Sequence, residues 1–314
     1  MNMAKFPQRL PLVVIAGPTA SGKSALGLAF AEKHAGTVIN ADSAQVYRNL
    51  RVVTARPSPD EEARAPHRLF GHVDGAEAYS APRWASEATA TIARIHADGG
   101  VPVLVGGTGM YLRTLLDGIA PVPEIDPEIR AQVRALAVGD AHAALAREDP
   151  AAAARLLATD TTRVARALEV VRATGRPLVD WQRERVGGIA DRVRLVPLIL
   201  LPDRAWLMQR CDARFDAMLA EGAIDEVRAL AARSDIPASA PVRRAIGVPE
   251  LTGMIGGTMD RAEAVARAKA ATRHYAKRQY TWFRNQPPFD WPRLHAHDPT
   301  ERTVILESCY NSCR

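Results

Sequence analysis

Leu12-Val13-Val14-Ile15-Ala16-Gly17-Pro18-Thr19-Ala20-Ser21-Gly22-Lys23-Ser24 is the stretch on which the rest of the chain depends. An apolar run enters a segment of the form G-x-x-x-x-G-K-[ST], and Ala25-Leu26-Gly27-Leu28-Ala29-Phe30 follows with Leu26 and Phe30 on one helical face. Strand, glycine loop and helix are in the order that a phosphate-binding loop requires. The glycines let backbone N–H groups turn inward around an anion, and the helix directs its positive dipole end to the same point. Lys23 adds a point charge, and Ser24 is placed to ligate a magnesium ion bridging phosphate oxygens. The alternative is a glycine turn in an ordinary strand-loop-helix unit. The motif leaves open which phosphate is held, and whether phosphate is transferred or departs.

Composition narrows the classes. At 314 residues the chain is large enough for one large or two modest domains. No apolar run approaches the roughly 20 residues of a membrane span, and Met1-Asn2-Met3-Ala4-Lys5-Phe6 has no signal-peptide pattern, so a soluble cytoplasmic protein is expected. Cys211, Cys309 and Cys313 form neither an even disulfide framework nor a paired metal motif, and read as reduced structural residues. The net charge of +6 permits a polyanionic partner. Between Val242 and Arg293 ten Lys/Arg face four acids, a local surplus as large as that of the whole chain.

Further along, Thr37-Val38-Ile39-Asn40-Ala41-Asp42 reads as a second parallel strand, which sets Asp42 at the strand edge where open α/β sheets keep ligands. Ser43, Ala44 and Gln45 follow directly; a helix N-cap is the competing role for Asp42 and Ser43. Residues 51–74 show no clear period and read as a long loop over the site. Ser80 to Ala97 reads as a helix, and Val101–Val105 as another buried strand. Gly106-Gly107-Thr108-Gly109 then makes a second glycine-rich strand-to-helix turn, which brings Thr108 to the same edge.

From Asp126 to about Trp181 the chain becomes Ala/Arg-rich and helical, with no strand-like run. Arg163 and Arg166 can share a side of one of its helices, either to grip a nucleic-acid backbone or as solvated surface. Arg194–Leu201 resumes the sheet. Arg243-Arg244-Ala245-Ile246-Gly247 is a basic turn, and Asp260 to about Arg284 is one long helix on which Lys277, Arg278 and aromatic residues interleave. That pattern suits phosphates and bases, or an amphipathic helix with its rings in the core.

Taken in order, Gly17–Ser24, Asn40-Ala41-Asp42-Ser43-Ala44-Gln45-Val46-Tyr47, Gly106–Tyr111, Arg163-Val164-Ala165-Arg166-Ala167-Leu168-Glu169-Val170 and Ala276-Lys277-Arg278-Gln279-Tyr280-Thr281-Trp282-Phe283-Arg284 resemble the bacterial tRNA dimethylallyltransferases, also called tRNA isopentenyltransferases, over about residues 10 to 290. The resemblance implies an α/β fold with a P-loop NTPase-like parallel-sheet core (1–120 and 194–314, the latter with the basic C-terminal helix) and an all-helical insertion domain at 121–193 that binds the tRNA anticodon stem-loop. It implies transfer of the dimethylallyl group of dimethylallyl diphosphate to N6 of adenine 37, with Mg2+ as cofactor and release of diphosphate. By resemblance Asp42 is the general base, Thr19 to Ser24 the diphosphate cradle with Thr19 and Lys23 in the chemistry, and Thr108 a contact to the target nucleotide. Arg130, Arg163–Arg166 and Arg243–Val248, with Arg244 and Gly247, resemble tRNA contacts. The chain departs from the family's usual Met-Asp-Ile-Gly-Thr-Ala-Lys at Leu50-Arg51-Val52-Val53-Thr54-Ala55-Arg56, and has Val248-Pro249 where Tyr-Arg is frequent.

The chemistry of the residues agrees with this. A loop that stabilises charge on a departing diphosphate serves allyl transfer as well as phosphoryl transfer. An adenine amine is a poor nucleophile, and a carboxylate within hydrogen-bond reach orients it and takes its proton. Three rivals remain: a small-molecule kinase or NTPase on the same loop, an isopentenyltransferase for free adenine nucleotides, and a non-catalytic tRNA-binding module. A monomer is expected, because one chain can supply both the grip and the site.

Overall fold

A computed structural model describes residues 9–312; Met1–Phe6 and Cys313, considered above, lie outside them. The chain divides into two compact units, one built from the residues up to Leu115 and from Ala190 onward, the other Leu116–Ile189.

The first unit begins with β1 (Pro11–Ala16), α1 (Lys23–Lys33), β2 (Gly36–Asn40), α2 (Pro59–Arg64), β3 (His67–Arg68), α3 (Ala81–Ala97), β4 (Val101–Gly106) and α4 (Gly109–Asp117). The second unit holds α5 (Pro127–Ala135), α6 (Val138–Glu148), α7 (Pro150–Arg155), α8 (Thr161–Thr174) and α9 (Leu178–Trp181). The chain then returns with β5 (Arg194–Leu200), α10 (Arg204–Ala220), α11 (Ala223–Ala231), α12 (Val248–Ile255), α13 (Arg261–Asn285), β6 (Arg293–Leu294) and α14 (Pro299–Ser312).

The six strands form one parallel sheet in the order β3-β2-β4-β1-β5-β6. Val13–Ala16 pair with Val103–Gly106 on one side, and Pro11–Ala16 pair with Arg194–Ile199 on the other. Helices cover both faces of a parallel sheet, so its central strands read as continuous apolar runs; Leu12 to Ala16 and Val103 to Leu104 are almost fully buried. Their common direction brings the segments after β1, β2 and β4 to one edge, which carries the phosphate loop, Asp42 and Thr108.

Local chemistry sets the element ends. Ser80 caps α3 by accepting the Arg83 N–H, and the Trp84, Ala88, Ile92 and Ile95 stripe of α3 is buried. Trp84 donates its indole N–H to the Asn40 carbonyl at 2.9 Å and stacks on Tyr111 at 4.4 Å, so a core residue supports the strand end that leads to Asp42. Asp260 caps the 25-residue α13. In the second unit Asp126, Asp149 and Asp160 cap α5, α7 and α8, Gly175 closes α8 at φ 66°, and Val133, Leu145, Leu168 and Val171 pack together.

The structure differs from the sequence reading in two places. Residues 51–74 are not a plain loop. Ser58 and Glu61 form a reciprocal capping box that starts α2, and His67-Arg68 extends the sheet beside Val38-Ile39. Pro and Arg around it concealed a Ser-x-x-Glu signal. Beyond the long basic helix, β6 and α14 add a strand and a helix that the reading did not place, with Leu306 and Tyr310 buried against Phe30 and Leu198.

Candidate active site

The loop from Gly17 to Ser24 leaves β1 and turns into α1 through three left-handed residues, Gly17 (φ 150°), Ala20 (φ 60°) and Gly22 (φ 93°). A Cβ on Gly17 would come within 2.4 Å of the Leu200 carbonyl oxygen, so only glycine lets the loop pass the neighbouring strand. Gly22 is the N-cap of α1 without any side-chain cap bond, which leaves the first-turn N–H groups to an external acceptor. Lys23 Nζ donates to the Pro18 carbonyl at 2.8 Å. Burial pushes the Lys23 ammonium down to about 8, against the attraction of Asp42 and with the help of Arg214. A half-buried cation whose charge is disfavoured in this way favours an incoming anion.

Asp42 follows β2 and is fixed from both sides. Its N–H donates to Asn40 Oδ1 at 2.8 Å, and its Oδ1 accepts the Ala44 N–H at 2.9 Å. Asn40 is fully buried and also donates through Nδ2 to the Asp42 and Leu69 carbonyls, so the turn cannot drift. Thr108 enters from the second glycine turn. Its Oγ1 accepts the Ser43 N–H at 3.0 Å and donates to Ser43 Oγ at 3.3 Å, while its own N–H donates to the Ala41 carbonyl. Gln45 turns its amide to the Thr54 and Ala55 carbonyls and so holds the segment in which the chain departs from the usual pattern. Glu226 of α11 holds the same segment from beneath by accepting the N–H groups of Arg51, Val52 and Val53.

Two cavities meet at this edge. The larger, of about 280 Å³, is lined by Ser43, Ala44, Val53, Phe215, Met218, Arg244, Ile246, Tyr275 and Arg278. The smaller, of about 50 Å³, is lined by Lys23, Ser24, Gln45, Glu61 and Gly106. Thr19, Asp42, Thr54 and Arg214 line both. One cavity is mixed apolar and aromatic, the other carries the phosphate-loop cation and hydroxyls, and the carboxylate of Asp42 stands where they join. Burial, followed by the charge of Asp42, pushes the Tyr275 phenol well above its usual range, so it stays protonated.

The sequence reading missed several residues that build this site. Gln279 is buried at 5 % exposure in the C-terminal third of α13; its Oε1 accepts the Thr19 N–H at 2.8 Å and its Nε2 donates to the Gly107 carbonyl at 2.8 Å. Arg214 of α10 reaches Thr19 Oγ1 at 3.4 Å, and burial lowers its guanidinium while Asp42 raises it. In sequence both sit on amphipathic helices, where a glutamine or an arginine reads as surface. The Gln279 signal was within reach: its apolar neighbours Ala276 and Phe283 mark the inward face of α13.

The basic residues divide. Arg244 and Arg278 are exposed and line the larger cavity, and Lys277 is exposed beside them. Arg243 does something else: its guanidinium donates to the Ile236 carbonyl at 3.1 Å and the Arg233 carbonyl at 2.6 Å, and thereby holds the turn before α12. Its neighbour Arg244 is the one presented to the site, because successive residues of this short turn face different ways. Gly247 caps α12 at φ 91° against Val53 and Phe215. Arg130, Arg163 and Arg166 belong to the second unit. There Arg163 pairs with Asp160 at 3.4 Å but stays 76 % exposed, Arg166 lies 3.7 Å from the buried Glu169, and Arg130 is half-buried with its Nε unpartnered.

Among the described residues no helix is long and apolar enough to cross a membrane, and no group of three or more His, Cys, Asp or Glu could hold a metal ion. The oxygen donors Ser24, Asp42 and Glu61 nonetheless line the smaller cavity. Such a set suits magnesium, which takes one or two protein ligands and completes its shell with substrate phosphates and water.

Comparison with known proteins gives a consistent picture. A family described as IPP transferase matches residues 45–286, and one described as isopentenyl transferase matches residues 10–75. The tRNA dimethylallyltransferase of Sphingopyxis alaskensis is 64 % identical over 283 residues, covering 90 % of this chain and 92 % of its own. The crystal structure of a full-length tRNA isopentenylpyrophosphate transferase from Bacillus halodurans superposes with a TM-score of 0.69 at 32 % identity, covering 96 % of each chain. A eukaryotic dimethylallyltransferase described as acting on tRNA superposes with a TM-score of 0.82 at 28 % identity, covering 97 % of this chain and 80 % of that one. On these matches the chain belongs to the IPP transferase family.

Proposed function

We infer that the protein is a tRNA dimethylallyltransferase, which moves the dimethylallyl group of dimethylallyl diphosphate onto N6 of adenine 37 in the anticodon arm of tRNA. The observation that carries this is the position of Asp42, shared by the phosphate-loop cavity and the apolar, aromatic cavity beside it. The diphosphate lies against Gly17–Ser24 with Lys23, Thr19 and Arg214. The allyl carbon then faces the larger cavity, into which a base taken out of its stack enters. Thr108 and Ser43 orient the base, and the free lone pairs of Asp42 hold the amine and accept its proton as the C–N bond forms. The C–O bond to diphosphate breaks in the same displacement, and the electron pair leaves on the diphosphate. Ser24, with Asp42 or Glu61, would hold a magnesium ion that neutralises that departing charge.

Arg244, Lys277 and Arg278 meet phosphates of the RNA, as do Arg130, Arg163 and Arg166 of the second unit. The protein works as a cytoplasmic monomer. A kinase reading is less favoured, because the cavity beside Asp42 is walled by Val53, Phe215, Met218 and Ile246 and suits an allyl chain and a base stacked on apolar side chains.

The test is to supply radiolabelled dimethylallyl diphosphate and magnesium with unmodified tRNA, or with AMP. Label is expected on tRNA alone. Label on AMP alone moves the acceptor to free nucleotides. Label on neither, together with phosphate release from ATP, moves the reading to a kinase or NTPase.

A further inference from the structure

Two of the phosphate loop's carbonyl groups, those of Ala20 and Ser21, are met by arginines. Arg210 of α10 donates from Nε to the Ala20 carbonyl at 3.2 Å, and Arg302 of α14 donates from Nη1 to the Ser21 carbonyl at 2.7 Å. Arg302 is 5 % exposed and Ser21 fully buried, so this bond is shielded from water. Nε of Arg302 is also fixed, donating to the Ala296 carbonyl at 2.8 Å, while Nη2 is buried without a hydrogen-bond partner.

A trans peptide plane points its N–H opposite to its C=O. A guanidinium that holds the Ser21 carbonyl outward therefore holds the Gly22 N–H inward, at the uncapped start of α1. A Cβ on Gly22 would come within 2.5 Å of Arg302 Nη1, so the second glycine of the motif gives room to this arm as well as adopting φ 93°. Arg302 itself is braced. Its guanidinium lies 5.8 Å from the Trp206 ring, Trp206 stacks on His297 at 4.6 Å, and one turn on Leu306 is fully buried. Burial is the main influence lowering its guanidinium, and Arg210 adds to it. A cation buried behind the loop loses its hydration, and its bonds to the Ser21 and Ala296 carbonyls offset part of that loss. The family match ends at residue 286, so this arm comes from the segment beyond it.

We propose that Arg302 is a positioning residue for diphosphate binding, a brace from the C-terminal helix that keeps the N–H groups of the phosphate loop pointed at their ligand. This rests on the reading of Gly17–Ser24 as the diphosphate cradle. Arg302 touches no reacting atom and acts through the Ser21–Gly22 peptide.

The experiment measures the affinity of the whole chain for inorganic diphosphate by titration calorimetry, alongside KM for dimethylallyl diphosphate and for tRNA. Wild type is compared with Arg302→Ala, Arg302→Lys and Glu307→Gln; the last weakens the contact of α14 with His34 at 2.8 Å without touching the loop. Arg302→Ala is expected to raise the diphosphate Kd and the KM for dimethylallyl diphosphate about tenfold, the scale of a lost charge-assisted bond, and to leave the KM for tRNA within about twofold. Arg302→Lys keeps the charge and stem but not the fork, so it recovers part of the affinity. If Arg302→Ala does not fold, Arg302→Lys carries the comparison, and a Kd equal to wild type there overturns the proposal. An unchanged Kd in a folded Arg302→Ala overturns it too, as does an equal rise in Glu307→Gln, which would mean that docking of the helix alone matters. If wild type binds no diphosphate, the cradle reading fails and takes this inference with it.

Discussion

Gln279 accepts the Thr19 N–H at 2.8 Å across 260 residues of sequence, and with its other amide group holds the Gly107 carbonyl at the same distance. One buried side chain thus ties the phosphate loop to the turn that carries Thr108. Gln279→Leu, close in volume, leaves a donor and an acceptor unpaired in the core and is expected to cost about 2 to 4 kcal/mol in urea unfolding. It also lowers kcat/KM for both substrates. A fall confined to one substrate would show that the two turns are not coupled through Gln279.

Asp42→Asn keeps the volume, and its side-chain oxygen can still accept the Ala44 N–H, but it removes the proton acceptor. Turnover under single-turnover conditions should fall about a hundred- to ten-thousandfold, with tRNA affinity within several-fold of wild type. Turnover near wild type would remove Asp42 as the base.

Adjacent arginines should behave differently. Arg244→Ala and Arg278→Ala are each expected to flatten the salt dependence of tRNA binding, lowering the slope of log affinity against log salt by roughly one. Arg243→Ala frees the Ile236 and Arg233 carbonyls, so it should lower the melting temperature and leave that slope alone. A slope change in Arg243→Ala would place its guanidinium on the RNA.

Glu226 receives three consecutive backbone N–H groups under residues 51–53. Glu226→Ala should therefore release the wall of both cavities that Thr54 contributes. The expected result is faster hydrogen exchange across residues 51–56 and a higher KM for dimethylallyl diphosphate. Unchanged exchange there would show that Gln45 suffices to hold the segment.

Burial pushes the Cys211 thiol up to about 11 from an ordinary 9.0. Roughly a hundredfold less thiolate is then present at pH 8 than in the unfolded chain, and iodoacetamide labelling of Cys211, mapped by mass spectrometry, should be slower by at least that factor. The folded state keeps its proton between pH 9 and 11 where the unfolded chain loses it, so this thiol makes stability fall as pH rises through that window. Equal labelling rates in folded and unfolded protein would show the thiol to be open.

Much of this was written locally in the chain. The Gly17–Ser24 loop, the apolar strand runs at Leu12–Ala16 and Val101–Val105, and the aspartate caps of α10 and α13 depend on neighbours a few residues away, so periodicity and turn chemistry identify them. Asp42 and Thr108 were legible because parallel strands deliver their C-terminal ends to one edge. Gln279, Arg214, Glu226 and Arg302 were not, because each acts on a backbone group or, for Arg214, a hydroxyl more than 170 residues away, and no local pattern separates such a side chain from one that faces water. Arg243 and Arg244 show the same limit in a single step. The sequence determined by itself that a phosphate loop and a carboxylate share a sheet edge. Only the tertiary structure decided which distant side chains hold them there, because a buried polar backbone group takes whichever partner the packing brings within about 3 Å.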